Sequence, residues 1–461
     1  MLTFRQRLVD PVFLTRLFLF GGLFFRLWHY FANHVIWYDE AVLLANVLDK
    51  SWLELLGPLQ SEVAAPPLFL WLLKLVHLIV GDIDYVWRLL PLLAGCAGLF
   101  LCVPVFRAML TPHGAALAVG LLAVADDHIR LSNTVKPYTL DALGTLVLLF
   151  LFVKTTHWPM VRRLLLVAAL APLLLGFSYP MAFVLGGVLL GLMPRDRKAV
   201  LAWLLAVAVL GGTFAVLYFG PIKAQRVSKL ETEWERNYLP YREPVQVPWW
   251  FTWHTFGVCQ QSCNPSGALL TVFVPLGALA FWRTGHRRWV VFLGGAWLAV
   301  LAASALRSYP YGQNRLMQFI GPIVLVLGVR GVEWLATWKR SFAAGLGMAM
   351  FIVADGYSLH RLVWPWSEPD ARSVAKFIRE NRGDLPVLSD EGNYFYFLNR
   401  QVQPLSAAAD VPSGGRVWVV MDHYTPEIRR HAMNITLAPL GFVEIDVKEF
   451  TRAGAYLFER R

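Results

Sequence analysis

Charge is scarce in this chain. Only 16% of its 461 residues are Asp, Glu, Lys or Arg, while 57% are hydrophobic, and mean hydropathy is +0.49. Such a balance is that of an integral membrane protein, not of a soluble enzyme or a disordered segment. Acid is scarcer than base, 31 residues against 42, for a net charge of +11. The basic excess arises largely from short clusters between apolar runs, as positive-inside topology expects, so it does not argue for nucleic acid. Cysteine is also rare, at four residues. Cys96 and Cys102 fall inside an apolar run and read as packing residues. Cys259 and Cys263 fall in a polar loop that reads as outside, where an oxidising compartment allows a disulfide, although so short a loop would strain the bond. Internal repeats and low-complexity tracts are missing.

Long apolar runs, by contrast, are abundant, and several approach the roughly 20 residues that a bilayer core requires. The first, from about Val12 to Phe31, is long and is followed by no small-residue cleavage site, so it reads as a retained helix and not a signal peptide. Basic clusters at Arg5 and Arg7, at Arg107, at Lys154 with Arg162 and Arg163, at Arg195 with Arg197 and Lys198, at Arg283 with Arg287 and Arg288, and at Lys339 with Arg340 mark cytoplasmic turns. Between them lie spans at 12–31, 86–106, 113–125, 139–153, 163–178, 180–193, 199–220, 267–282, 289–306, 316–334 and 342–357. These about eleven crossings put the N-terminus inside and the C-terminus outside. The parity requires Pro66–Val80, with its short apolar run, to be re-entrant or interfacial. The loop 221–267 departs from the rule, because it is placed outside and carries Lys223, Arg226, Lys229, Arg236 and Arg242.

The outer face then receives a first loop (32–85), the segment Asp126 to Tyr138, the Trp- and Tyr-rich loop 221–267, and Ser308 to Arg315. After about Trp366 the composition changes. Apolar residues recur at helical spacing in Pro369–Arg382 (Ala371, Val374, Ala375, Ile378), and Pro386–Asp390, Val417–Met421 and Phe442–Phe450 read as strands. The expected architecture is a polytopic α-helical membrane domain (1–366) followed by a small extracytoplasmic α/β domain (367–461).

Several polar residues lie where they are costly. Asp39 and Glu40, in Trp37-Tyr38-Asp39-Glu40-Ala41, follow the first span directly, and carboxylates beside a bilayer are expensive to place without a task. They read either as acids capping a helix or as a general base facing an outer cavity. Arg130, Lys136 and Arg315 each sit near the outer end of a helix. Snorkelling explains any one of them; together they suggest a site for a phosphate at the membrane surface. Asp126-Asp127-His128 suggests a metal only weakly, and a solvated turn is the simpler reading. Arg88, in Trp87-Arg88-Leu89-Leu90-Pro91, reads as an outer-edge anchor.

Four motifs occur in order: the acid pair Asp39-Glu40, the double-proline helix of Ala65-Pro66-Pro67-Leu68-Phe69, Arg88 to Pro91, and Ser132 to Asp141. This order resembles the polytopic GT-C glycosyltransferases, in the bacterial branch related to protein O-mannosyltransferases and the lipid A aminoarabinose transferase. The resemblance covers about Phe25 to Phe152 best and continues loosely through Tyr311–Arg315 into the terminal domain. It implies a polyprenyl-phosphate sugar as donor, used at the outer face of a bacterial plasma membrane, and as partners an acceptor protein, lipid or glycan and the membrane lipids. It implies Asp39 as the catalytic acid of the first outer loop, with Glu40 as the lesser candidate, and inversion at the sugar carbon. Lys136, Arg130 and Arg315 would bind the donor phosphate, and Tyr138, Asp141, Arg88 and Tyr311 the substrate. No cofactor is implied, and a divalent metal is left open. The chain departs from the family where a basic residue often precedes the double proline, here Ala65, and where Glu often precedes Val-Lys, here Thr134. The other readings are a flippase or transporter of a lipid-linked sugar and an O-antigen-type ligase or polymerase.

Overall fold

A computed structural model describes residues 10–60, 63–81, 83–226, 232 and 234–461. Arg5, Arg7 and Lys229, used above in the topology, lie outside the described residues. The chain divides into two compact units: residues 1–32, 56–58 and 64–364 form one, and residues 33–55, 59–63 and 365–461 form the other.

The first unit is helical. All eleven expected spans are helices. Among the described residues, eight are long and apolar enough to cross a membrane: Pro11–Ala32, Asp84–Met109, Met160–Phe177, Arg197–Gln225, Ser266–Arg283, Arg287–Ala305, Arg315–Ala336 and Arg340–Val363. The other three, Pro112–Ala123, Tyr138–Lys154 and Met181–Gly191, have 12, 17 and 11 residues. They are buried on most sides, so they are enclosed mainly by other helices, and an apolar surface all round is what that position demands. Arg197–Leu217 is the opposite case, with Leu201, Leu204, Leu205 and Val216 all exposed. Large exposed apolar faces of this kind mark a surface that meets lipid. Pro67–Val80 is a helix of 14 residues. At about 1.5 Å per residue it is too short to cross a bilayer core upright, as are Pro112–Ala123 and Met181–Gly191. Phe69, Leu70 and Leu73 are buried, while Leu78 and Ile79 are exposed.

Small residues set the closest helix crossing. A Cβ on Gly277 would stand 1.8 Å from the Leu327 carbonyl oxygen, and one on Gly331 would stand 2.1 Å from that of Phe273. Helices Leu270–Arg283 and Gly321–Ala336 therefore meet backbone to backbone, as small residues permit in membrane proteins. Arg26, buried in the first helix, donates from Nη1 to the carbonyls of Gly22 (3.0 Å) and Ala123 (3.1 Å). It thereby caps the C-terminal end of Pro112–Ala123, whose last carbonyls have no helical partner.

The second unit is an α/β fold around a four-stranded sheet. The strands are β1 (Val387–Leu388), β2 (Arg416–Asp422), β3 (Phe442–Phe450) and β4 (Ala453–Arg460), in the order β1-β2-β4-β3. β1 runs parallel to β2, and the other pairs are antiparallel, with a register shift in β3 between Glu444 and Asp446. Val417, Val419, Met433, Leu437, Tyr456 and Phe458 form its core. Helix Ala371–Asn381 buries Ala371, Val374, Ala375 and Ile378, the residues its periodicity selects, and Asp370 caps it by accepting from the Ser373 amide at 3.0 Å. β4 is not read from the sequence. It is paired on both sides and opens Ala-Gly-Ala, so it lacks the alternation of a half-buried strand. Helix Tyr38–Asp49, from the first outer loop, also belongs to this unit. Asn46 ties it to the following turn, donating to the Gln60 carbonyl (3.2 Å) and accepting from the Gln60 amide (2.8 Å).

Candidate functional site

The acids of the first loop separate once their local structure is seen. Trp37 precedes helix Tyr38–Asp49, and the Glu40 carboxylate reaches back to accept from the Trp37 amide at 3.0 Å. This is the returning half of a capping box. Glu40 is buried, with its carboxylate engaged in the cap. Asp39 is half-buried in the first turn of the same helix, where the aligned peptide dipoles favour a carboxylate.

Tyr38 links this helix to a second group of polar residues. Its ring meets the ring of His423 edge-on, with centroids 5.6 Å apart. Burial, then the charges of Glu391 and Asp39, push the Tyr38 phenol up to about 12. Glu391, Asp422 and His423 each present one ligand atom within 4.8 Å of the others. Asp422 ends β2 and is fully buried, and His423 follows it in a left-handed turn at φ 68°. The His423 Nδ1 hydrogen-bonds the Asp422 carboxylate, and that bond raises the imidazole pKa above its ordinary value. Sequence reasoning passes over this group. The only signal is an acid and a histidine directly after a buried apolar strand, and Glu391 lies some thirty residues earlier.

The cations lie in the helical unit. Helix Asp126–Leu131 leads through a tight turn to helix Tyr138–Lys154. In that turn the Asn133 amide donates to the Arg130 carbonyl (2.9 Å) and the Lys136 amide to the Thr134 carbonyl (2.7 Å). Lys136 is only 4% exposed, while Arg130 is half-buried. The Arg315 guanidinium lies 6.0 Å from the Tyr138 ring centroid, so these two candidates are brought together. Asp141, one turn beyond Tyr138, is buried, and its Oδ1 has no hydrogen-bond partner among the described residues. Asp141 and Tyr138 both act on Tyr309, whose hydroxyl is raised well above its ordinary value, first by burial and then by these neighbours. Arg88 is buried beside Tyr30, whose hydroxyl donates to the Tyr85 carbonyl at 2.9 Å. Tyr311 is fully buried, and its hydroxyl is met by Trp297 Nε1 (2.8 Å) and Thr255 Oγ1 (2.9 Å).

Three further expectations meet the structure here. Asp126 and His128 are buried and do not form a solvated turn; Asp126 pairs with Arg361 Nε at 3.4 Å. Burial and the neighbouring Asp126 push the Asp127 carboxyl up to about 7. Cys259 and Cys263 are buried free thiols, not a disulfide. Cys263 ends the turn after helix Val247–Ser262 with its Sγ on the Leu121 carbonyl at 3.4 Å. At Ala65 the backbone itself is clamped, since its amide donates to Gln225 Oε1 (3.0 Å) and its carbonyl accepts from the Tyr179 hydroxyl (3.2 Å). Thr134 turns its hydroxyl onto the Arg130 carbonyl at 3.0 Å.

A bundle of apolar helices, eight of them among the described residues long enough to cross a membrane, joined in one chain to a small α/β unit, defines a polytopic helical fold. The chain is similar in structure to ArnT from Cupriavidus metallidurans bound to undecaprenyl phosphate, over 98% of this chain and 97% of that one, at a TM-score of 0.56 and 13% identity. Apo ArnT from the same organism matches over 93% and 95%, at a TM-score of 0.53 and 13% identity. The Archaeoglobus fulgidus oligosaccharyltransferase tethered with an acceptor peptide containing the NVT sequon matches over 97% of this chain and 74% of its own, at a TM-score of 0.51 and 12% identity. At such identities the likeness establishes the fold. No family model matches the chain, and no curated protein matches it in sequence.

Proposed function

We propose that this protein is a membrane glycosyltransferase that moves a sugar from a polyprenyl-phosphate donor to an acceptor at the outer face of a bacterial plasma membrane. The observation that supports this most is the likeness over nearly the full length of both chains to ArnT, a protein whose structure is known with undecaprenyl phosphate bound. The likeness to an oligosaccharyltransferase tethered with an acceptor peptide supports group transfer over transport. The N-terminus is cytoplasmic in this reading and the α/β unit faces outward.

The chemistry follows from the residues. The acceptor oxygen attacks the anomeric carbon, the bond from that carbon to the phosphate oxygen breaks, and the configuration inverts. Asp39 takes the acceptor proton as general base. Charge grows on the departing phosphate as the bond breaks, and Lys136, Arg130 and Arg315 stabilise it. Arginine does so through paired N–H groups and lysine as a point charge. Tyr138 and Asp141 position the sugar from the helix that follows Lys136, and Arg88 anchors the donor headgroup. Neither Glu40 nor Tyr311 has a part, because both are engaged in structure.

The test is turnover of undecaprenyl-phosphate-linked sugar by membranes holding the wild type or Asp39→Asn. Loss of the base is expected to lower transfer by about 10²–10⁴-fold. Full turnover by a folded Asp39→Asn protein would remove Asp39 from the mechanism. Movement of labelled donor across vesicles without transfer would replace the enzyme by a transporter.

A further inference from the structure

Glycosyl transfer as set out above leaves the Glu391, Asp422 and His423 group without a task. Acids with a neighbouring histidine can be no more than a solvated cluster, but two observations set this one apart. Asn393 is 1% exposed and donates from Nδ2 to Asp422 Oδ2 at 2.5 Å, while its own Oδ1 is buried with no partner among the described residues. Tyr394 is fully buried and its hydroxyl also has no partner, yet Asp422 and Glu391 are the charges it feels most. A buried acceptor or hydroxyl left unmet costs on the order of 1–3 kcal/mol, and native folds rarely leave two side by side.

The donor set narrows what belongs there. Two carboxylates and one imidazole match a borderline divalent ion. Mg²⁺ and Ca²⁺ prefer oxygen alone, whereas an imidazole suits Zn²⁺ and is accepted by Mn²⁺. The Asp422–His423 bond orders two of the groups, and the amide of Asn393 donates to the Asp422 carboxylate, as outer partners of metal ligands do. His423 follows β2 with a positive φ of 68°. Its ring meets Tyr38, the residue before Asp39.

We infer that Glu391, Asp422 and His423 form a binding site for one divalent cation of the Mn²⁺ or Zn²⁺ class in the α/β unit, with Asn393 supporting it. The bound ion holds the His423 ring in place, and that ring in turn holds Tyr38 and the first turn of helix Tyr38–Asp49. The three ligands are positioning residues for that turn. This site stands whether or not the chain transfers sugar, because binding is read without any donor.

The experiment uses the full chain purified in detergent and stripped with a chelator. MnCl₂ is titrated with the free ion followed by electron paramagnetic resonance, and ZnCl₂ is titrated by calorimetry. One ion per chain is expected, with the thermal midpoint raised on binding. Glu391→Gln and His423→Ala are each expected to weaken binding by at least about tenfold. Their double variant should lose the thermal shift while keeping the metal-free midpoint. Asp384→Asn, an exposed acid elsewhere in the unit, should bind as the wild type does. Wild type that takes up no more Mn²⁺ or Zn²⁺ than the double variant overturns the site. Uptake of Mg²⁺ or Ca²⁺ in preference overturns the assignment of the ion.

Discussion

The two units keep their most buried arginines in different ways. In the helical unit, buried arginines rest on backbone carbonyls. Arg26 sits on those of Gly22 and Ala123, and Arg163 donates to the Phe152 carbonyl (2.8 Å) and the Thr155 hydroxyl (3.1 Å). In the α/β unit, charge meets charge. Arg429, 1% exposed at its side chain, pairs with Glu449 and donates to the Tyr456 hydroxyl at 2.8 Å. The difference follows from what each environment supplies. Helices that end within or near lipid carry unmet carbonyls and few carboxylates, so a guanidinium is most cheaply satisfied there as a cap. A small soluble fold has acids available on neighbouring strands and uses them in pairs. The functional candidates divide along the same line, with Asp39 in the α/β unit and Lys136, Arg130 and Arg315 in the helical one.

That division can be broken most sharply at the site. Asp39→Asn is expected to abolish most transfer while leaving the affinity for undecaprenyl phosphate within about threefold, because a base acts on the acceptor proton. Lys136→Ala is expected to weaken that affinity by about tenfold or more, a loss of roughly 1.4 kcal/mol per decade. Donor binding by calorimetry and transfer by product assay, run on both variants, check the pair. Equal loss of donor affinity in both would erase the distinction between an acidic and a basic half.

The charge-pair contrast comes next. Arg429→Met strands Glu449 and the Tyr456 hydroxyl, and should lower stability by about 3 kcal/mol. Arg26→Met removes hydrogen bonds but no opposite charge, and should cost about 1–2 kcal/mol. Thermal midpoints in detergent read both, and a larger loss at Arg26 would refute the account given above.

A smaller effect is expected at Asp127, whose folded-state value of about 7 lies above the ordinary carboxylate value of 3.8. The fold holds this group in its neutral form. Its contribution to stability is therefore complete below about pH 4 and is lost as pH rises through about 7. Asp127→Asn should raise the thermal midpoint at pH 8 and leave it nearly unchanged at pH 4. An equal shift at both values would show that the carboxyl is not held neutral. The smallest change is Glu40→Gln, which weakens a cap worth about 1 kcal/mol and should leave transfer within a few-fold. A loss comparable with that of Asp39→Asn would return Glu40 to the chemistry.

Legibility followed the range of the forces. The long apolar runs mark helices because twenty apolar residues in a row have few other homes. Helix Ala371–Asn381 was readable residue by residue from its period. β4 was not, because a strand covered on both sides loses the alternation that betrays a strand. Asp39 stood out as a carboxylate beside a membrane. That Glu40 caps the helix is a matter of its position relative to the first turn, set by where the chain enters the helix after Trp37. The Glu391, Asp422 and His423 group was invisible, since its members come from a loop and a strand end that only the sheet brings within reach of one another.

Composition and order along the chain were enough to settle that this is a multi-pass helical membrane protein with a small α/β unit after it, because hydrophobic transfer acts on local runs of residues. They were also enough to line up Asp39, Arg88, Lys136 and Asp141 as a series. Which loop packs with which unit, which acid is engaged in a cap, which tyrosine is packing, and where two carboxylates and an imidazole converge were decided by tertiary contacts. Those depend on pairings between residues tens to hundreds of positions apart, and no local pattern in the sequence encodes them.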